Sequence, residues 1–226
     1  MGRVVVTKVL DYGSIELVDF MGGDARVDAA AGVSLGRFGR ERTVEQQRKL
    51  IRYMMKHRHG TPFEHSVFTF HIKCPMFIRT EWMRHRIGSF NEISGRYTEL
   101  PMEFYMPDEW RQPDPNNKQG SVPYDGDAGG AFEVYRTAMR AAEWAYHVQL
   151  AQGIAREMAR MVLPLSTYTE FIWSVNARSL MNFISLRNTL DAQYEIRVYA
   201  DSIYDIFMDS MPLTGEAFTE NGYTAP

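Results

Sequence analysis

Cysteine is almost missing from this chain of 226 residues, which holds only Cys74. One thiol excludes an intrachain disulfide framework and a cysteine-based zinc site, and it fits a reducing, cytoplasmic setting. Long apolar runs are missing as well. No stretch approaches the ~18–20 apolar residues that cross a bilayer. The N-terminal MGRVVVTKVLDYG is apolar too briefly for a signal peptide and breaks at Asp11, so no membrane partner is expected. Positive charge is not in excess. The formal net charge is −3 at pH 7, which argues against a nucleic-acid binder with a basic face. The P-loop and GxGxxG are absent, so a Rossmann dinucleotide fold is not supported. There is no internal repeat and no low-complexity tract.

What is present is an ordinary globular composition, 45% hydrophobic, in a chain long enough to bury a real core. Two short strands are expected at 3–10 and 14–20, then an alanine-rich helix at 25–34. Thr43-Val-Glu-Gln46 is a capping-box pattern that opens a helix running to about Lys56, with Leu50, Ile51, Met54 and Met55 on one side. SVFTFHIKC (66–74) alternates, with Phe68, Phe70, Ile72 and Cys74 facing one way; Cys74 therefore reads as core. Pro75 suits a first helical position, and a helix is expected over 75–87, with Arg84, His85 and Arg86 in its last turn. Residues 107–130 read as a long exposed loop. Helices at 131–152 and 154–163, a strand at 167–175, and two last helices at 177–187 and 190–210 complete the order. Without regular βαβ alternation the expected class is α+β: a largely antiparallel central sheet flanked by helices, in a single domain over 1–226.

Three stretches carry chemistry. RHRIGSFNEISGRY (84–97) packs three arginines and a histidine among a glutamate, an asparagine, two serines and two glycines. Cations at a helix end can simply offset its dipole. Guanidinium beside carboxylate beside hydroxyl is equally what a nucleotide needs, cations for phosphate and directed hydrogen bonds for the base. Gly95 lets a backbone amide come close to a ligand. HRHGTPFEH (57–65) offers metal-ligand types, but Pro62 forbids a continuous helix and the spacing is not HExxH; no metal is expected, and the stretch reads as a ligand-lining loop. In VNARSLMNFISLR (175–187) Asn176 is a good N-cap, Arg178 and Asn182 share a face, and Leu180, Met181, Phe183 and Leu186 read as core.

Taken together, these blocks resemble the flavin-dependent thymidylate synthases. Arg84-His85-Arg86 followed by seven residues and Ser94 resembles the family signature. HGTPFEH, FNEISGRY, MVLPLSTYTEFIWSVNARSLMNF, and LR before DAQYEI look like family blocks in family order, over about residues 15–210. The resemblance implies a methyltransferase that converts dUMP to dTMP, with 5,10-methylenetetrahydrofolate as carbon donor and NADPH as reductant through FAD. It implies a homotetramer with active sites shared between subunits, and no cysteine nucleophile. By the same resemblance Arg187 contacts the uracil and stabilises its developing negative charge. His59 matches a family histidine near flavin and folate and joins Arg187 in the catalytic set. Glu81, Arg84, Glu92, Ser94, Gly95, Arg96 and Arg160 are implied nucleotide contacts. Ser34, Thr61, Arg84, His85, Arg86, Glu92, Asn176, Arg178 and Asn182 are implied FAD contacts.

The chain departs from that pattern at three places. Glu81 stands where members often carry Gln, Asp191 where a flavin-contacting His can occur, and Gly32 where an arginine is often found. A flavoprotein that keeps FAD but has lost methyl transfer is the competing reading, and the carboxylate at Glu81 is the feature that favours it.

Overall fold

The computed structural model describes residues 6–34 and 36–226. A five-stranded sheet runs β1 (Val6–Val9), β2 (Gly13–Met21), β3 (Val67–Pro75), β7 (Tyr168–Asn176), β4 (Ser89–Glu92), and every neighbouring pair is antiparallel. The expected first strand began at residue 3, and residues 3–5 lie outside the described part. Helices α1 (Asp24–Val33), α2 (Val44–Lys56), α3 (Met76–Trp82), α4 (Gly129–Ala151), α5 (Arg156–Ala159), α6 (Ala177–Arg187), α7 (Tyr194–Ser210) and α8 (Pro212–Glu220) complete the α+β arrangement, with a small separate hairpin of β5 (Arg111–Pro113) and β6 (Ser121–Pro123).

The β3 alternation places Phe68, Phe70, Ile72 and Cys74 fully inside. They stand opposite Val175, Trp173, Phe171 and Thr169 of β7 in register. Burying each phenylalanine contributes about 1.5–3 kcal/mol, so these two strands anchor the core against α6 and α7. At α2, Thr43 Oγ1 accepts from the Gln46 amide and Gln46 Oε1 accepts from the Thr43 amide, the reciprocal cap expected from the sequence; such a cap is worth ~1 kcal/mol.

Several expectations are corrected. Helix α3 stops at Trp82, so Arg84, His85 and Arg86 lie in a turn beyond it and not in a last helical turn. Pro75 closes β3 and caps α3 from outside. The cause is packing: Trp82 is fully buried against Phe171, Trp173, Phe183 and Tyr199. The chain must then reverse for Ser89–Glu92, expected as loop, to pair with β7 as an edge strand. Gly88 permits that approach, because a Cβ there would stand 2.8 Å from Trp173 Nε1 and 3.0 Å from the Ser174 carbonyl oxygen. The 107–130 segment is not plain loop; it folds the β5–β6 hairpin and begins α4. Helix α8 was not expected. Leu186, counted as core, is 56% exposed.

Candidate functional site

Helix α6 and the turn after α3 meet at Arg187. Its Nη1 donates to Glu81 Oε2 at 2.9 Å, its Nη2 to the Glu81 carbonyl oxygen at 3.2 Å, and its Nε to His85 Nε2 at 3.0 Å. The Arg187 and Glu81 side chains are 19% and 24% exposed, so the pair is mostly out of water yet reachable. Burial lifts the Glu81 carboxyl above its ordinary value, Arg187 and Arg84 pull it down without cancelling the rise, and Glu195 adds to it. Burial and then Arg187 hold His85 down at about 4. The imidazole is therefore neutral near pH 7, with Nε2 as the acceptor and the proton on Nδ1. His85 also sits edge-on to Phe183, one turn before Arg187 on α6. Arg84 and Arg86, by contrast, are exposed and carry no ion pair among the described residues.

Strand β4 positions Glu92. The β4 alternation turns Phe90 and Glu92 to the same face; Glu92 Oε2 takes both Nε and Nη2 of Arg79, and Oε1 accepts from Thr169 Oγ1 at 2.8 Å. Just beyond, the Arg96 amide donates to Ser94 Oγ, and Arg96 forms an open, solvent-exposed pair with Glu157, worth little in water. Among the described residues no general base hydrogen-bonds Ser94 Oγ. Gly95 is buried for a reason the sequence did not reveal: a Cβ there would come within 3.2 Å of the Arg160 side chain and 3.1 Å of Leu100. The missing side chain makes room for the stem of Arg160, whose residue is itself exposed and unpaired among the described residues.

The HRHGTPFEH segment wraps the start of α6. Thr61 opens a 3₁₀ turn, Thr61–His65. The Arg178 side chain crosses Gly60 so closely that a Cβ would stand 2.4 Å from its Nε. Arg178 Nη1 pairs with Glu64 at 2.6 Å and Nε donates to the Pro226 carbonyl oxygen. Asn176 caps α6 by accepting from the Ser179 amide at 2.9 Å, and Asn182 is exposed one turn along from Arg178. The His59 ring stacks near-parallel with Tyr53 at 5.9 Å, with His57 also against Tyr53. Ser34 ends α1 and lines a 690 Å³ cavity with Gly22, Arg26, Phe38 and His65.

The structure thus joins Glu81, His85 and Arg187 directly, Gly95 with Arg160, and Arg178 with the Gly60–Glu64 turn. It does not gather all the sequence-marked residues into one cavity of a single chain. A cavity of 1350 Å³ is lined by Asp11, Trp110, Arg111, Tyr135, Tyr194 and Glu195 among others, and by none of the sequence-marked residues. The partners that sequence reading missed are Arg79 for Glu92, Glu64 for Arg178 and Tyr53 for His59. Only Glu64 stood inside a marked stretch; the other two lie on neighbouring helices with nothing local to single them out.

Comparison with known proteins follows from this geometry. Residues 16–213 match the family described as thymidylate synthase complementing protein. The chain is 48% identical over 218 residues to the flavin-dependent thymidylate synthase of Thermosipho africanus, covering 96% of this chain and 95% of that protein. It is 46% identical over 213 residues to that of Thermus thermophilus, covering 94% and 78%. Among solved structures, the UMP/dUMP methylase PolB from Streptomyces cacaoi bound with 5-Br dUMP superposes with a TM-score of 0.86 at 38% identity, over 97% of this chain and 100% of that one.

Proposed function

The chain belongs to the flavin-dependent thymidylate synthases, and on that premise we propose how its own residues divide the work. The enzyme methylates dUMP to dTMP, with 5,10-methylenetetrahydrofolate and NADPH as co-substrates and FAD as cofactor, and it uses no cysteine nucleophile. The observation that carries this is the family match over 16–213 together with near-half identity across almost the whole chain. The buried thiol agrees with it. Cys74 is fully inside the sheet, and burial lifts its pKa well above the ordinary thiol value, so a thiolate at that position has neither the charge state nor the access to attack a substrate.

The residues present fit a dinucleotide and a pyrimidine monophosphate. Arg84, Arg86 and Arg160 are exposed guanidiniums with no carboxylate partner among the described residues, the donor type that pairs phosphate oxygens. The backbone at Gly60 leaves no space for a Cβ beside Arg178. When bound, FAD passes reducing equivalents from NADPH to the transferred carbon. Arg84, His85, Arg86, Thr61, Asn176, Arg178, Asn182 and Ser34 hold and orient that cofactor. Ser94, Gly95, Arg96 and Arg160 bind the nucleotide phosphate and sugar, with Glu81, Arg84 and Glu92 beside them. Arg187 faces the pyrimidine ring as a fixed cation, stabilising negative charge as it develops there without having to reorganise. His59, stacked on Tyr53, lies near flavin and folate in this reading.

The site is shared between subunits of a homotetramer in this reading. Two features support it. The marked residues form separate groups on one chain. Ile87, Leu186 and Leu190, which neighbour Arg86, Arg187 and Asp191, are exposed apolar side chains, the kind of surface that association covers.

The test has two readouts. Purified protein is expected to carry the flavin absorbance bands, and NADPH oxidation to be coupled to dTMP formation only with both dUMP and the folate present. Colourless protein, or oxidation without dTMP, sinks the reading. The second outcome would leave the flavoprotein that has lost methyl transfer.

A further inference from the structure

Resting on the placement of Arg187 against the pyrimidine, we infer that Glu81 is a positioning residue that fixes the Arg187 guanidinium and sets the charge the nucleotide meets there. Arg187 has five N–H groups. Three are spent inside the protein, on Glu81 Oε2, the Glu81 carbonyl oxygen and His85 Nε2. Two remain, one on each terminal nitrogen. Two of the three restraints come from the one residue Glu81, through side chain and main chain together, so Glu81 defines the plane of the guanidinium. The third comes from an imidazole held neutral, which can accept but adds no charge.

The carboxylate does more than hold. Its other oxygen accepts no hydrogen bond among the described residues. An anion approaching Arg187 therefore also approaches a half-satisfied negative group. The charged or titratable groups around Glu81 are Arg187 from α6, Arg84 and His85 from the turn after α3, and Glu195 from α7. Ionised, Glu81 offsets the Arg187 field; protonated, it leaves the field whole. An amide at the same place would keep an acceptor for Nη1 and remove the offset.

The experiment compares holoprotein carrying wild-type Glu81, Glu81→Gln and Glu81→Ala. Equilibrium dUMP binding is measured by calorimetry from about pH 5.5 to about pH 8.5, spanning the region above ordinary carboxylate values, with dTMP formation in parallel. At the alkaline end Glu81→Gln is expected to bind dUMP about five-fold more tightly than wild type. That advantage shrinks as pH falls toward the raised Glu81 value, where the protonated acid resembles the amide. The phosphate titrates identically in both proteins and cancels in the ratio. Glu81→Ala loses the side-chain restraint and keeps only the main-chain carbonyl, so kcat falls about ten-fold, with KM changing less, and Glu81→Gln restores most of it.

Glu81→Gln binding dUMP no more tightly than wild type at the alkaline end overturns the inference, as does Glu81→Ala turning over like wild type. If Glu81→Ala does not fold, the ratio alone decides. Wild-type protein that neither binds dUMP nor makes dTMP would sink the family reading itself; an active wild type matched in affinity by Glu81→Gln sinks only the role of Glu81.

Discussion

Glu81 and Glu195 are each joined to an arginine, and their surroundings push their acidities in opposite directions. Glu195, in the first turn of α7, is almost fully buried and receives Nη2 of Arg111 and the Tyr105 hydroxyl on one oxygen and the Gln193 amide on the other. Burial pushes its carboxyl up, but the hydrogen bonds from Arg111 and Gln193 outweigh burial and leave it below its ordinary value. Glu81 receives one side-chain donor, from Arg187, and burial wins. Both arginines are about one-fifth exposed, and Glu195 is the more deeply buried carboxylate, 3% against 24% exposed, yet the one held down, so burial alone does not explain the opposite shifts. Saturation does. A carboxylate with both oxygens occupied is a structural tie. One with a vacant oxygen beside a guanidinium with spare N–H groups still has hydrogen bonds to offer, which is what a binding site needs.

Exchanging the same mutation between the two arginines breaks the comparison most sharply. Arg187→Ala is expected to depress turnover by about 10²–10³-fold, the usual cost of losing a preorganised charge-stabilising donor, while the flavin spectrum of purified protein is retained. Loss of flavin instead would move Arg187 from the pyrimidine to the cofactor.

Arg111→Ala should reverse the pattern. It strands a buried carboxylate and is expected to cost ~3 kcal/mol, or roughly 6–12 °C in Tm for a chain of this size, with folded protein retaining its turnover. The pH dependence sharpens this. Because the Glu195 value is depressed on folding, its stabilisation is complete above the ordinary carboxylate range and is lost as pH falls through the folded value. Denaturation of wild type and Arg111→Ala should therefore converge in acid. A stability difference independent of pH would show that Arg111 acts through packing alone.

The same contrast explains what the sequence could reveal. Elements set by local chemistry were legible: the Thr43–Gln46 cap, the β3 alternation and the Asn176 cap all form as read. Features set by remote packing were not. Nothing within residues 75–87 shows that Trp82 enters an aromatic cluster and ends the helix. Leu186 lies about 120° around α6 from Leu180 at 100° per residue, off the stripe that Leu180, Phe183 and Ile184 bury; a stricter count of angle would have excluded it. His85 and Arg187 stood in stretches marked by their chemistry and Glu81 came only through family resemblance, and nothing joined the three, since no spacing rule links positions over a hundred residues apart. The role of Glu195 drew no notice because its charged partner, Arg111, comes from a segment read as loop.

Cys74 gives the smallest expected effect and probes the premise behind the Arg187 pair, that arginine electrostatics stand where a thiol nucleophile otherwise would. Its side chain is fully buried opposite Thr169 in the β3–β7 register, and Thr169 itself donates to Glu92. Cys74→Ala leaves that hydrogen bond in place and removes only one sulfur from a packed face, for ~1 kcal/mol of stability. Turnover of the folded variant should stay within about two-fold of wild type, since the buried thiol has no part in attack. A thermal melt measured beside the coupled assay separates the two quantities. Abolished dTMP formation in a variant that melts near the wild-type temperature would restore a thiol mechanism and strip the Arg187 cluster of the role argued for it.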